Sequence, residues 1–262
     1  FIKERTERWD LYKLVLRKIE ILKELDKTTE VEATISEFLY LPEIRRQEVA
    51  KLLDEKCYEK AICMLNEGIV IAERGGNLGT LREWQEQLLF IYEEVHDVAK
   101  VIEMCQLLFI HTNGSLDYYH KLKSLISSTD WKEYLSTLMQ ETTFYDYWGS
   151  GNNKADIYIE EKEYDKLFSF LSAVKYRRLD ALVQYASHLN ATHSSQILSL
   201  FTDDLRVYAE KNLGRSHYEY IARVLRGMRK LNGGKDVVKQ LVEEFRVLYK
   251  RRPAMMQELG EF

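Results

Sequence analysis

Five stretches of this 262-residue chain repeat one spacing. Ala61 is followed by Leu65, Val98 by Ile102 and then Cys105, and Tyr134 by Leu138. Leu167 is followed by Leu171 and then Val174, and Ile221 by Leu225 and then Met228. An aromatic ring stands three residues ahead of four of them: Tyr58, Trp131, Tyr164 and Tyr218. Positions three and four apart share one face of an α-helix, so each stretch writes an apolar stripe. The steps from Ala61 to Val98, Tyr134 and Leu167 are 37, 36 and 33 residues, and the last, to Ile221, is 54, which requires inserted helical material. A recurrence of this length marks stacked units. One helix pair cannot bury its apolar face alone, so its neighbours must cover it. Small residues such as Ala61 and Gly68 let helices approach closely.

Punctuation is sparse. Only 2 prolines and 12 glycines occur, and β-branched runs are few, so the chain reads as helix after helix, about fourteen by pattern. "WDLYKLVLRKIEILKEL" sets Leu11, Leu14, Val15, Ile19, Leu22 and Leu25 at helical spacing. Pro42 suits the first turn of a helix running to about Glu55. Asp54, Glu55 and Lys56 form a charged joint before a helix carrying Ala61, Leu65 and Gly68. A helix pair repeated about every 34 residues resembles the tetratricopeptide repeat, although its usual proline near the repeat end is absent throughout. Ser194 or Ser195 is expected to cap a later helix and Gly214 to halt it. Pro253 opens a closing helix, whose Leu259 with Met255 or Met256 covers the end of the stack.

The 45% hydrophobic and 31% charged residues exclude a disordered chain. Net charge is −4. From Leu205 onward 13 Lys+Arg face 7 Asp+Glu, a balance of +6, which leaves −10 in the rest. Cys57, Cys63 and Cys105 form no CxxC pair and read as reduced core thiols in a cytoplasmic protein. No apolar run approaches the roughly 20 residues that cross a bilayer, and no signal peptide is visible. A chain opening on Phe1 rather than Met reads as a piece of a longer polypeptide.

Catalytic patterns are missing. Gly75, Gly76 and Gly79 have no following Lys-Ser/Thr and no preceding strand, so they read as a helix end and turn rather than a phosphate loop. The six histidines show no HExxH or facial-triad spacing, and His188 with His193 makes only a weak metal pair. Adjacent Asp203 and Asp204 diverge on a helix and cannot form one acid–base pair. Ser194 sits in no GxSxG elbow. "TTFYDYWGSGNN" reads as a joint between helix pairs, ended by Gly149 and Gly151, or as an aromatic patch.

The most distinctive text is "GRSHYEYIARVLRGMRKLNGG", an amphipathic helix between glycines. Ile221, Val224, Leu225 and Met228 take one side, while Arg223, Arg226 and Lys230 take the other. Those three are the candidate binding residues, either a solvated face or a grip for an acidic partner or phosphate backbone. The stretch from Gly214-Arg215 through Tyr218, Leu225, Gly233-Gly234 and Tyr249 to Arg252-Pro253-Ala254 and Glu258-Leu259 resembles the C-terminal part of bacterial SWIM zinc-finger family proteins. "YLPEIRRQEVAKLLDEKCYEKAICMLNEGI" fits the helical repeats such proteins carry after their finger. The resemblance implies a helical region downstream of a finger lying before Phe1. The finger's own CxCxnCxH zinc site, proposed to bind DNA or proteins, has no counterpart here, so no metal ligand carries over.

The expected fold is all-α: a right-handed α-solenoid of tetratricopeptide-like helix pairs with a helical C-terminal cap. Residues 1–40 supply leading helices and 41–175 the repeats. Residues 176–262 add further helix pairs and the cap, continuous with the same solenoid. The expected function is a non-catalytic scaffold for an unknown protein or peptide partner. The alternative is a nucleic-acid-associated module whose basic C-terminal helices assist a finger through weak contacts. No cofactor, membrane or small-molecule substrate is expected.

Overall fold

The structure, a computed structural model, describes residues 2–144 and 153–262, with side chains from Asp10 onward. Tyr145, Tyr147, Trp148, Gly149 and Gly151, the expected aromatic joint, lie outside the described residues. Among the described residues there are fifteen α-helices, two short 3-10 turns and no strand. The chain divides into two compact units, residues 1–142 and 143–262. The break therefore falls inside the expected repeat region 41–175, and the leading helices of 1–40 belong to the first unit.

The first unit holds α1 (Ile2–Glu24), α2 (Thr28–Phe38), α3 (Pro42–Asp54), α4 (Tyr58–Arg74), α5 (Leu78–Glu94), α6 (Val98–His111), α7 (Leu116–Leu125) and α8 (Trp131–Glu141). From α3 to α7 each helix packs on the next in sequence. One joint geometry recurs. At Asp26, Lys56, Gly76, His96 and Asn113 the backbone turns left-handed, with φ between 54° and 63°. The following amide then reaches back five residues: Lys27 N donates to Leu22 O, Cys57 N to Leu52 O, Asn77 N to Ala72 O, Asp97 N to Tyr92 O and Gly114 N to Phe109 O, at 2.8–3.0 Å. This is a Schellman end, which satisfies carbonyls the helix would leave bare. The next helix begins at once, so α4, α5 and α6 start twenty residues apart, at Tyr58, Leu78 and Val98. Gly75 and Gly76 form such an end, as read from the sequence, while Gly79 lies inside α5.

The stripes are buried where the spacing put them. Ala61, Leu65, Leu138, Leu167, Leu171, Ile221, Leu225 and Met228 are buried, and Trp131 and Tyr218 with them. Each large aliphatic side chain among them contributes about 1.5–3 kcal/mol by leaving water. Trp131 meets Tyr119 edge to face at 5.5 Å. Tyr58 and Tyr164 are half-buried. Some alignments fail. Val98 is 53% exposed because it sits at the first turn of α6, where Val101 and Cys105 carry the buried face. Leu14 of α1 and Leu25, just past its end, face solvent, so the stripe narrows to Val15, Ile19 and Leu22. Of the three thiols only Cys105 is in the core; Cys57 is half-buried and Cys63 exposed.

The second unit holds α9 (Asn153–Glu160), α10 (Tyr164–Ala173), α11 (Arg178–Tyr185), α12 (Ser194–Lys211), α13 (Arg215–Met228), α14 (Gly234–Leu248) and α15 (Pro253–Glu258). Lys162, at φ 57°, repeats the same joint between α9 and α10. Here α13 is a hub, packing on α11, α12, α14 and α15. It buries Tyr218, Ile221, Ala222, Val224, Leu225 and Met228. Pro253 occupies the first turn of α15, and Met255 and Leu259 are fully buried, whereas Met256 is half-buried. Two expected boundaries differ. The residue before α12 is His193, and neither Ser194 nor Ser195 caps it. The helix stops at Lys211 because Asn212 turns extended, and Gly214, at φ 115°, begins α13 instead of halting α12.

Candidate interaction surface

Arg223 and Arg226 project from the exposed side of α13, and Lys230 follows just past its end. The structure brings all three to the wall of one pocket of about 430 Å³, beside Ser187, Asn190 and Phe201. Asn190 ties one edge by accepting from the Asn232 amide at 2.6 Å. The two arginines already have partners. Arg223 lies 3.7 Å from Asp180 and 4.8 Å from the centre of the Tyr220 ring. Arg226 Nε donates to Glu261 at 2.8 Å. Lys230 makes no ion pair among the described residues. Exposed pairs of this kind are worth only about 0–1 kcal/mol, so a stronger anion can displace them.

A larger groove of about 1010 Å³ opens beside the corner between α10 and α11. Arg177, left-handed at φ 54°, sets that corner. Arg178 Nε donates to Asp204 Oδ2 at 2.7 Å, and its Nη1 donates to Ser172 O at 3.0 Å. Asp180 accepts from Arg177 Nε at 2.7 Å and from the Tyr220 hydroxyl at 3.0 Å. The Tyr208 hydroxyl and His217 Nδ1 are 2.7 Å apart, and the Tyr208 and Tyr220 rings lie 4.8 Å from each other. Burial, and then the Asp180 charge, push the Tyr220 phenol well above its ordinary range; burial raises Tyr208 as well. Both phenols therefore act as neutral hydrogen-bonding groups. Lys175 and Lys211 also line the groove and form no ion pair among the described residues. Tyr176 is 73% exposed and Val207 50% exposed beside them. The groove can hold an extended segment by apolar contact and by cations aimed at acidic groups.

Sequence reasoning missed this groove. Its only local signal is "VKYRRLD", where Lys175, Tyr176 and Arg177 interrupt two helices. The groove's far wall, Asp204 to Asn212, lies on α12 and at its end.

The remaining ionisable groups do structural work. Asp203 reaches Arg206 at 3.8 Å while Asp204 binds Arg178, so the neighbours diverge as their helical spacing requires. His193 stacks on Phe168 at 4.7 Å and meets Asp165 at 3.1 Å. His111 is hydrogen-bonded to Gln85 at 3.0 Å. Among the described residues no group of three or more His, Cys, Asp or Glu could hold a metal ion. No described helix is long and apolar enough to cross a membrane. No family model, curated protein or solved structure matches the chain.

Proposed function

We propose that this chain is a non-catalytic helical-repeat scaffold that holds a protein or peptide partner in the cytoplasm. The groove beside the α10–α11 corner carries the reading: Lys175 and Lys211, which form no ion pair among the described residues, flank exposed Tyr176 and Val207 along about 1010 Å³ of concave surface. That pattern suits a segment mixing acidic and apolar residues. The identical joints and neighbour-on-neighbour packing from α3 to α7 support a tetratricopeptide-like arrangement of that region. The zinc-finger context remains part of the proposal, resting on the C-terminal wording and the upstream stretch from Tyr40 to Ile69.

Fluorescence anisotropy with labelled peptides containing Asp or Glu beside Phe or Leu tests it. Binding is expected to fall at least tenfold when Lys175 and Lys211 are both changed to Glu. Equal binding by that double variant would remove the groove from the proposal. The nucleic-acid reading draws on the +6 balance after Leu205. Against it, Arg178, Arg206, Arg223 and Arg226 are all engaged with carboxylates of the same chain. A salt titration of duplex DNA binding separates the two, because phosphate contacts weaken steeply as salt rises.

A further inference from the structure

The first unit contains a cavity of about 350 Å³ that plays no part in the proposed groove. Two deeply buried donors line it. Arg45, on α3, is 3% exposed, and Trp84, on α5, is 1% exposed. Arg45 Nε donates to Leu39 O at 3.0 Å, and its Nη1 donates to Met64 O and stands 3.6 Å from Glu67. Among the described residues no hydrogen bond is made by Arg45 Nη2 or by the Trp84 indole N–H, and neither atom is sealed off from open space.

Gly68, on α4, explains how these donors come so close. A Cβ there would lie 2.7 Å from Arg45 Cδ and 3.0 Å from Trp84 Nε1. The missing side chain lets the guanidinium stem and the indole edge converge on one spot in the cavity wall. Leu41, Ile71 and Ala72 make the adjoining wall apolar.

A donor that opens on a cavity with no protein acceptor is free to meet a bound one, and arginine cannot shed its proton to lose that capacity. The complement is an acceptor with two oxygens, one negative charge and an apolar body. We propose that this cavity binds a small monocarboxylate, its oxygens taking the Arg45 and Trp84 donors and its hydrocarbon part lying against Leu41, Ile71 and Ala72. A phosphate dianion fits poorly, because among the described residues Arg45 is the sole cation lining the cavity and Glu67 already stands beside it. The volume lies at the small end of the range for ligand pockets. Nothing in the sequence pattern announces the site, since its two donors are 39 positions apart on different helices.

The test uses the full chain labelled with ¹⁵N and follows the indole N–H signal of Trp84, assigned by its loss in Trp84→Phe. Benzoate and 4-methylpentanoate are the probes, with benzyl alcohol and inorganic phosphate as controls. A saturable shift of that signal is expected with both acids, at millimolar concentration or below. Both controls should need at least tenfold more. Trp84→Phe keeps the ring but loses the donor, and should weaken benzoate about tenfold by thermal shift, the scale of one charge-assisted hydrogen bond. If that variant unfolds, the titration of the unaltered protein still decides. No movement of the Trp84 signal at about 50 mM of either acid overturns the proposal. So does an equal response to benzyl alcohol, which marks a merely apolar cavity, or to phosphate.

Discussion

Arg178 and Asp204 clasp α11 to α12 at two points, Nε to Oδ2 at 2.7 Å and Nη2 to Oδ1 at 2.5 Å. Both side chains are about three-quarters buried, at 26% and 22% exposed, so the pair is partly shielded from water. Arg178 also holds the end of α10 through Ser172 O. Asp204→Asn keeps one acceptor oxygen, loses the charge and sets an amide N–H against one Arg178 donor, and should lower stability by about 1–2 kcal/mol. Arg178→Met loses both links and should cost about 2–3 kcal/mol. Urea midpoints check the order, and an Arg178→Met no worse than Asp204→Asn would mean the Ser172 link contributes nothing.

Gly234 opens α14 where no side chain fits. A Cβ there would sit 1.9 Å from the Met228 carbonyl oxygen and 2.9 Å from its carbon. Both are backbone atoms at the end of the hub helix α13, so they cannot swing aside. Gly234→Ala is expected to cost at least about 3 kcal/mol and to lower the urea midpoint of the second unit sharply. A loss below about 1 kcal/mol would show that the α13–α14 corner is free to shift.

The joints offer a gain. Lys56 and Lys162 hold left-handed backbone that costs an L-residue about 1 kcal/mol. Lys56→Gly or Lys162→Gly should therefore raise stability by about 0.5–1 kcal/mol. Gly76→Ala should do the reverse by a similar amount, since a Cβ there touches nothing and only the backbone matters. Urea midpoints that fall in the lysine variants would refute it.

Burial raises the Cys105 thiol from 9.0 to about 11. Below pH 9 both the folded and the unfolded chain keep the proton. Between about 9 and 11 the unfolded chain loses it while the folded chain retains it, so this residue's contribution to stability is full below 9 and declines toward 11. Cys105→Ala should flatten that part of the stability–pH curve. At neutral pH a maleimide should label exposed Cys63 first and leave Cys105 last.

The helical class was legible because apolar spacing decides it. The shared stripe marked α4, α6, α8 and α10, alternate helices in order, and Ala61, Leu65, Leu167 and Leu171 are buried accordingly. The twenty-residue step of α4 to α6 was hidden, since His96 and Lys56 take the left-handed corners where glycine would have advertised a turn. Val98 misled because the first turn of a helix need not face inward. Gly214 misled because a glycine at positive φ can start a helix as well as stop one. Arg223, Arg226 and Lys230 were readable as one face, but Asp180 and Glu261, which answer the arginines, arrive from distant segments. The groove and the cavity were unreadable for the same reason. Their walls are assembled from residues that share no spacing.

The uniform joints also bear on how the polypeptide is made. From α4 to α7 every helix leaving the ribosome finds the preceding helix, on which it packs, already outside, so that region can condense turn by turn during synthesis. The hub α13 has no such luxury: its last neighbour, α15, is nearly the final segment translated, and its greasy side must wait for Met255 and Leu259 to emerge.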